Sequence, residues 1–284
     1  MSLAGVALAA GEGRRLRPLT LLRPKPLCPV GARPLLDRAL AILAPHTGAG
    51  PRLLAVNAHH LAEQVVAHVG QRAHVSVEHV SVQALGTAGA LGHLAGWLDG
   101  RAVLLVNADT YLSGREPGAQ TEPAAVLDSL VRGWDGERCR LLVALAGRSA
   151  PHRSSLRADF SDDRGDWGYL GACLLPGDVV AGLPSTPSGL YEVLWRDLDA
   201  RGLLDLHPFD GVAIDCGTPA DYLRANLHAS GGASVVGAGA VVEGTVTRSV
   251  VWDGAFVGPD EHLVDEVRAG DRTHPVTVAG RLPR

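Results

Sequence analysis

The chain has 284 residues, 26 lysines and arginines against 30 acids, a net charge of −4, 46% apolar residues and 4% aromatic residues. That length buries a full core with room for a small appendage, while the charge and scarce aromatics exclude a surface that tracks nucleic acid. No apolar run approaches the roughly 18–20 residues that cross a bilayer, and Cys28, Cys139, Cys173 and Cys216 show no metal or disulfide spacing, so reduced thiols in a cytoplasmic protein are expected.

Leu3–Ala9 reads as a first strand, because its apolar run has no basic leader and passes straight into Gly11 and Gly13. Between Gly11 and Lys25 stand five cations (Arg14, Arg15, Arg17, Arg23, Lys25) against one acid, Glu12. Glycines admit an anion to the backbone N–H groups and fixed cations hold its charge, so the segment reads as a cradle for a polyphosphate. Leu16 stands where the dinucleotide fingerprint needs a third glycine, and no Gly-Lys-Ser/Thr follows. Pro18, Pro24, Pro26 and Pro29 stiffen the loop, and Lys25 lies between two of them.

Further along, Leu53–Asn57, His74–His79, Ala102–Asn107 and Leu141–Ala146 read as strands. Pro34–Ala44, Leu61–Val69, Thr87–Leu98 and Ala124–Trp134 carry helical spacing. The alternation predicts an α/β fold, a mostly parallel doubly wound Rossmann-like sheet with ligands at the carboxyl ends of its strands. The turn at Gly11 and Gly13 and the strand end at Asn107, Ala108 and Asp109 then share one rim. Residues 113–123 and 147–167 are rich in breakers and read as surface loops. His59 and His60, adjacent before a helical pattern, are expected to hold no metal.

The run from Gly11 to Thr20, followed by Pro24, Lys25, Pro26 and Leu27, resembles the signature of sugar-1-phosphate nucleotidyltransferases. Leu85 to Leu91 is similar to that family's base-receiving segment, Val106 to Asp109 to its first metal-binding strand end, Tyr169 to Ala172 to its sugar-facing Tyr-x-Gly, and Ile214 to Tyr222 to its second metal element. The match covers roughly residues 3–228. In two respects it leans toward different members. The stretch Ala158 to Asp163 has no Glu-Lys-Pro and is closer to the short N-acetylmuramate-1-phosphate uridylyltransferases, whereas the tail is closer to mannose-1-phosphate guanylyltransferases.

The resemblance implies attack by a sugar 1-phosphate on the α-phosphorus of a nucleoside triphosphate. Arg15 and Lys25 are then the catalytic cations, and Asp109 and Asp215 hold Mg2+. Ala10, Gly11, Gly13, Gln83, Gly86, Thr87, Asp109, Tyr169 and Gly171 bind nucleotide or sugar, with Asn107 as a further nucleotide contact. A nucleotide-sugar sensor without turnover is the competing expectation. Read from the residues alone, Asp215 could equally cap a helix beginning after Pro219, and Asp221 reads as a first-turn acid.

From about Ala229 the composition changes. Val236, Val242, Val251 and Val257 are spaced 6, 9 and 6, a hexapeptide pattern that slips once. The expectation is a catalytic domain over 1–228 and a short left-handed β-helix stub over 229–284. In relatives such a stub supports contacts between copies of the chain, and a homo-oligomer through the tail is expected on that ground.

Overall fold

Strand Leu3–Leu8 runs parallel to both Ala102–Asn107 and Leu54–Ala58, which in turn pairs in parallel with His74–Val77. Leu3–Leu8, Leu54–Ala58 and Ala102–Asn107 are nearly continuous apolar runs, as a sheet covered on both faces requires. On the other side, Gly165–Leu175 pairs antiparallel with Ala102–Asn107 and with Cys139–Leu145, and Leu204–Pro208 closes that edge in parallel. The sheet is thus mostly parallel, as expected. The computed structural model describes residues 2–78, 83–119, 121–146 and 159–280.

Two compact units are built from interleaved stretches. The first comprises Met1–Gly11, Arg38–Ala108 and Glu122–Asp210, and holds the sheet. Its core packs Ala4, Val6, Leu91, Val103, Leu105, Leu141 and Cys173 around Trp167 and Trp195. The second comprises Glu12–Asp37, Asp109–Thr121 and Gly211–Arg284, so the 229–284 tail shares a unit with the cationic loop.

In the second unit, strands Val235–Val236, Val241–Val242 and Thr245–Thr247 pair in parallel with Val250–Val251, Phe256–Val257 and His262–Val264. These are successive coils of a short β-helix. The slip in the valine spacing has a geometric cause: a third side, carrying Val246 opposite Leu263, falls between Val242 and Val251. Val250, Val257, Leu263 and Val267 bury in the coil, and Val251 and Trp252 join one core with Tyr222, Leu16 and Leu19.

Two expectations need correction. Residues 159–167 are not loop: Phe160–Asp162 and the start of Gly165–Leu175 form an antiparallel hairpin, with Trp167 buried. Local pairing across Asp163 and Arg164, with Trp167 also opposite Leu145, gives these polar residues a place in the sheet. Residues 147–158, the rest of that expected loop, lie outside the described residues. The helix expected over Thr87–Leu98 is divided into Gly86–His93 and Ala95–Leu98, with Leu94 turned out of regular helix between them.

Candidate active site

Two acids 106 positions apart are brought together by a short ladder. Thr110–Ser113 pairs antiparallel with Val212–Asp215, and Thr110 lies opposite Asp215. Asp109 precedes Thr110, and its carbonyl accepts from Cys216 N–H at 3.1 Å, so both carboxylates project from one end of the ladder. Tyr111, Val212, Ile214 and Cys216 anchor it in the core of the second unit.

Lys25 joins them. Its Nζ donates to Asp109 Oδ2 at 2.9 Å and to Asp215 Oδ1 at 2.8 Å, and Arg15 donates to Asp215 Oδ2 at 3.0 Å. The Lys25 side chain is 6% exposed, while those of Asp109 and Asp215 are 37% and 54% exposed. Burial opposes the Lys25 charge, but the two carboxylates more than offset it and hold its pKa above the usual lysine range. Burial pushes the Asp215 carboxyl up, yet Lys25 and Arg15 outweigh it and its pKa lies below the ordinary carboxylate value.

The loop is pinned by its own apolar residues. Leu16, between the exposed Arg15 and Arg17, and Leu19 are fully buried in the second unit. Pro24 is extended, and Lys25 opens a tight turn, Lys25–Leu27, closed by Cys28 N–H onto the Lys25 carbonyl at 3.0 Å. Gly13 has φ +60, and a Cβ there would meet Thr20 Cγ2 at 2.8 Å and Lys25 Cβ at 3.1 Å, so the chain can pass only as glycine. Thr20 Oγ1 fixes the same turn through the Gly13 carbonyl at 2.9 Å.

The cationic excess along the sequence is largely balanced in space. Glu12 pairs with Arg14 at 2.5 Å and lies 3.7 Å from Arg17, while Arg23 lies 3.7 Å from Asp253 and over the Trp252 ring at 4.9 Å. Only Lys25 of the five is buried; the others keep access to solvent and to incoming anions. Asp215 does not cap the helix Pro219–Ala229. Thr218 does, accepting from Asp221 N–H at 3.2 Å, and Asp221 is the first-turn acid, bound to Thr218 and Arg224.

The remaining candidates lie in the first unit. Leu8 pairs with Asn107, so the backbone at Ala9 to Gly11 leaves the sheet beside that strand end, and Ala108 N–H donates to the Leu8 carbonyl. Ala10 is buried, whereas a Cβ on Gly11 would meet nothing, leaving that backbone open to an approaching group. Asn107 Oδ1 is buried without a hydrogen-bond partner among the described residues. Gly86 has φ +73, with space for a Cβ closed by the Ser188 carbonyl at 2.5 Å. Thr87 Oγ1 accepts from Leu190 N–H at 2.8 Å, an internal use of that hydroxyl, and Gln83 is exposed. Gly171, φ +81, sits in a bulge between Tyr169 and Cys173, and the Tyr169 ring packs on Trp195 at 4.7 Å between centroids.

The donor set suits Mg2+. Two carboxylates stand adjacent and partly open, and among the described residues no group of three or more His, Cys, Asp or Glu side chains could form an all-protein cage. Mg2+ is commonly held by one or two carboxylates, with waters and substrate phosphates completing its shell. All four cysteines are free and buried, and burial pushes the thiols of Cys28 and Cys139 up to about 12. No described helix is long and apolar enough to cross a membrane.

Residues 4–119 match the family model of the nucleotidyl transferases. Over that segment the chain is similar to this family. It is 29% identical over 241 residues to N-acetylmuramate alpha-1-phosphate uridylyltransferase from Caulobacter vibrioides, covering 78% of this chain and 95% of the relative. It is 25% identical to mannose-1-phosphate guanylyltransferase from Mycobacterium tuberculosis, over 91% of this chain and 72% of that one. In fold it matches the solved mannose-1-phosphate geranyltransferase of Thermus thermophilus, with TM-score 0.68, 17% identity and coverage of 99% and 96% of the two chains. The expected resemblance to sugar-1-phosphate nucleotidyltransferases holds in these matches.

Sequence reasoning passed over two buried polar residues of the first unit, Asn57 and Glu78, which are 3% and 2% exposed. The signal available was a polar side chain at the end of each of two apolar strand patterns.

Proposed function

We propose that the protein condenses a nucleoside triphosphate with a sugar 1-phosphate. A phosphate oxygen of the sugar attacks the α-phosphorus in line, the bond from that phosphorus to the α–β bridging oxygen breaks, and pyrophosphate leaves. The observation that carries this reading is the buried Lys25 ammonium held between Asp109 and Asp215, with Arg15 on the same Asp215 carboxylate.

Two polyanions must meet, and each pair of unit charges at 4 Å repels by about 4 kcal/mol at an effective dielectric of 20. Arg15 is exposed and planar, fitted to turn from Asp215 onto the β- and γ-phosphates. Lys25 presents a point charge for the α-phosphate and the sugar phosphate. Asp109 and Asp215 hold Mg2+, which when bound neutralises phosphate charge as a Lewis acid. Backbone at Ala10, Gly11 and Gly13 takes the phosphates. Gln83, Gly86, Thr87 and Asn107 serve base and ribose, the buried Asn107 oxygen awaiting a donor. Tyr169 and Gly171 face the sugar. The attacking phosphate is itself the nucleophile, so the protein contributes alignment and electrostatics. Four buried free thiols support a cytoplasmic setting.

The test is pyrophosphate release across a matrix of five nucleoside triphosphates and several sugar 1-phosphates, with and without Mg2+. The names of the two curated relatives put UTP with N-acetylmuramate 1-phosphate and GTP with mannose 1-phosphate first. Mg2+-dependent release with one pair is expected; nucleotide-sugar binding with no release in any arm would make the protein a sensor instead.

A further inference from the structure

Within the first unit, buried polar groups form one directed chain of hydrogen bonds. Ala9 N–H donates to Asn57 Oδ1 at 2.6 Å, Asn57 Nδ2 donates to Glu78 Oε1 at 2.7 Å, and Leu85 N–H donates to Glu78 Oε2 at 2.8 Å. Its direction is not adjustable. The two backbone N–H groups only donate, so the Asn57 oxygen must face Ala9 and its NH2 must face an acceptor. The two Glu78 carboxyl oxygens accept one of these donors each. The Glu78 backbone is itself fixed, its N–H donating to the Ala58 carbonyl at 2.8 Å and its carbonyl lying 3.0 Å from His59 Nδ1.

Ala9 immediately precedes Ala10 and Gly11, and Leu85 immediately precedes Gly86 and Thr87 while opening the helix Gly86–His93. We propose that Asn57 and Glu78 are positioning residues that tie the phosphate-binding backbone to the base-binding segment, setting the span across which a nucleoside triphosphate is gripped. The inference rests on the reading that the nucleotide binds at Gly11 and at Gly86–Thr87. It needs no contact between either side chain and substrate. Both ends are main-chain N–H groups, and the two side chains between them set their separation.

Glu78→Gln brings an amide donor against Asn57 Nδ2 or Leu85 N–H, and Asn57→Asp sets one carboxylate against another. The pair Asn57→Asp with Glu78→Gln restores every bond: Ala9 N–H to the new carboxylate, the new amide to that carboxylate, and Leu85 N–H to the new amide oxygen. KM for the triphosphate, KM for the sugar phosphate, kcat and Tm are measured on wild type, both singles and the double. Each single is expected to raise KM for the triphosphate about 10-fold, with the other KM within about threefold, and the double to return it to within about threefold of wild type. Singles with unchanged triphosphate KM, equal rises in both KM values, or a folded double no better than the singles overturn the inference. If the singles do not fold, the double alone decides, and a triphosphate KM more than about 10-fold above wild type refutes it. Calorimetry with the triphosphate alone separates the two levels: a wild type that binds none sinks the functional reading, and this inference with it.

Discussion

Lys25→Met removes the one buried cation of the site and keeps most of the side-chain volume. Each of its contacts, at 2.9 and 2.8 Å, corresponds to an attraction of about 5–6 kcal/mol at an effective dielectric of 20. Much of that is repaid by water when the lysine goes, because the two acids are 37% and 54% exposed and rehydrate readily. The net loss of stability is then about 1–2 kcal/mol, well under the cost of stranding a fully buried charge, or about 2–8 °C in Tm. Catalysis has no such compensation. The charge that meets the α-phosphate is gone and two carboxylates now repel the incoming anions, so kcat/KM should fall by about 10²–10³. Pyrophosphate release in a coupled assay, paired with a thermal melt, reads both quantities. A variant that melts as expected but turns over within about tenfold of wild type would refute the assignment of Lys25 to the reacting phosphates. Lys25→Arg is expected to restore little, since a planar fork does not replace a compact ammonium at a site only 6% exposed.

Asp109→Asn and Asp215→Asn should each fold, judged by an unchanged far-UV spectrum, and lose about 10²-fold or more of the Mg2+-dependent rate; EDTA should abolish wild-type turnover and excess Mg2+ restore it. Gly86→Ala forces φ +73 on an alanine and drives its Cβ to 2.5 Å from the Ser188 carbonyl; we expect a loss of about 1–3 kcal/mol in urea unfolding, with unchanged stability counting against the described course of that turn. The Glu261 carboxyl is held below its ordinary pKa, first by its hydrogen bonds to the buried Arg268 and then by Gly258 N–H. A depressed carboxylate contributes stability that is present above its unfolded pKa and lost as pH falls through its folded value. The Tm difference between wild type and Glu261→Gln should therefore be widest at neutral pH and close on acidification below the normal glutamate range; a gap independent of pH would contradict the ion pair.

The parallel core of the sheet was legible because Ala102–Asn107 and Leu3–Leu8 are uninterrupted apolar runs bounded by breakers. The hairpin at Phe160–Asp162 was not, since its polar residues satisfy one another across the strands, as Trp167 does with Asp162 at 2.7 Å. Arg15, Lys25, Asp109 and Asp215 were each nameable from motifs; the ladder between Thr110–Ser113 and Val212–Asp215 brings the two acids together, and the cations join them by ion pairs. No local pattern announces that Lys25 joins partners 84 and 190 positions away. Asn57 and Glu78 were missed for a related reason: a lone polar residue at a strand end looks like a boundary until its partner is seen.

The change of composition near Ala229 invites cutting the chain there to obtain a smaller protein for crystallisation or fusion. The helix Pro219–Ala229 argues against it. Tyr222 accepts from Trp252 Nε1 at 3.0 Å and donates to the Pro29 carbonyl, while Asn226 takes Gly31 N–H at 3.0 Å. A shortened version would strip that helix of its apolar cover and slacken the segment that follows Lys25. Deletion of the last fifth of the gene would then silence the front of it.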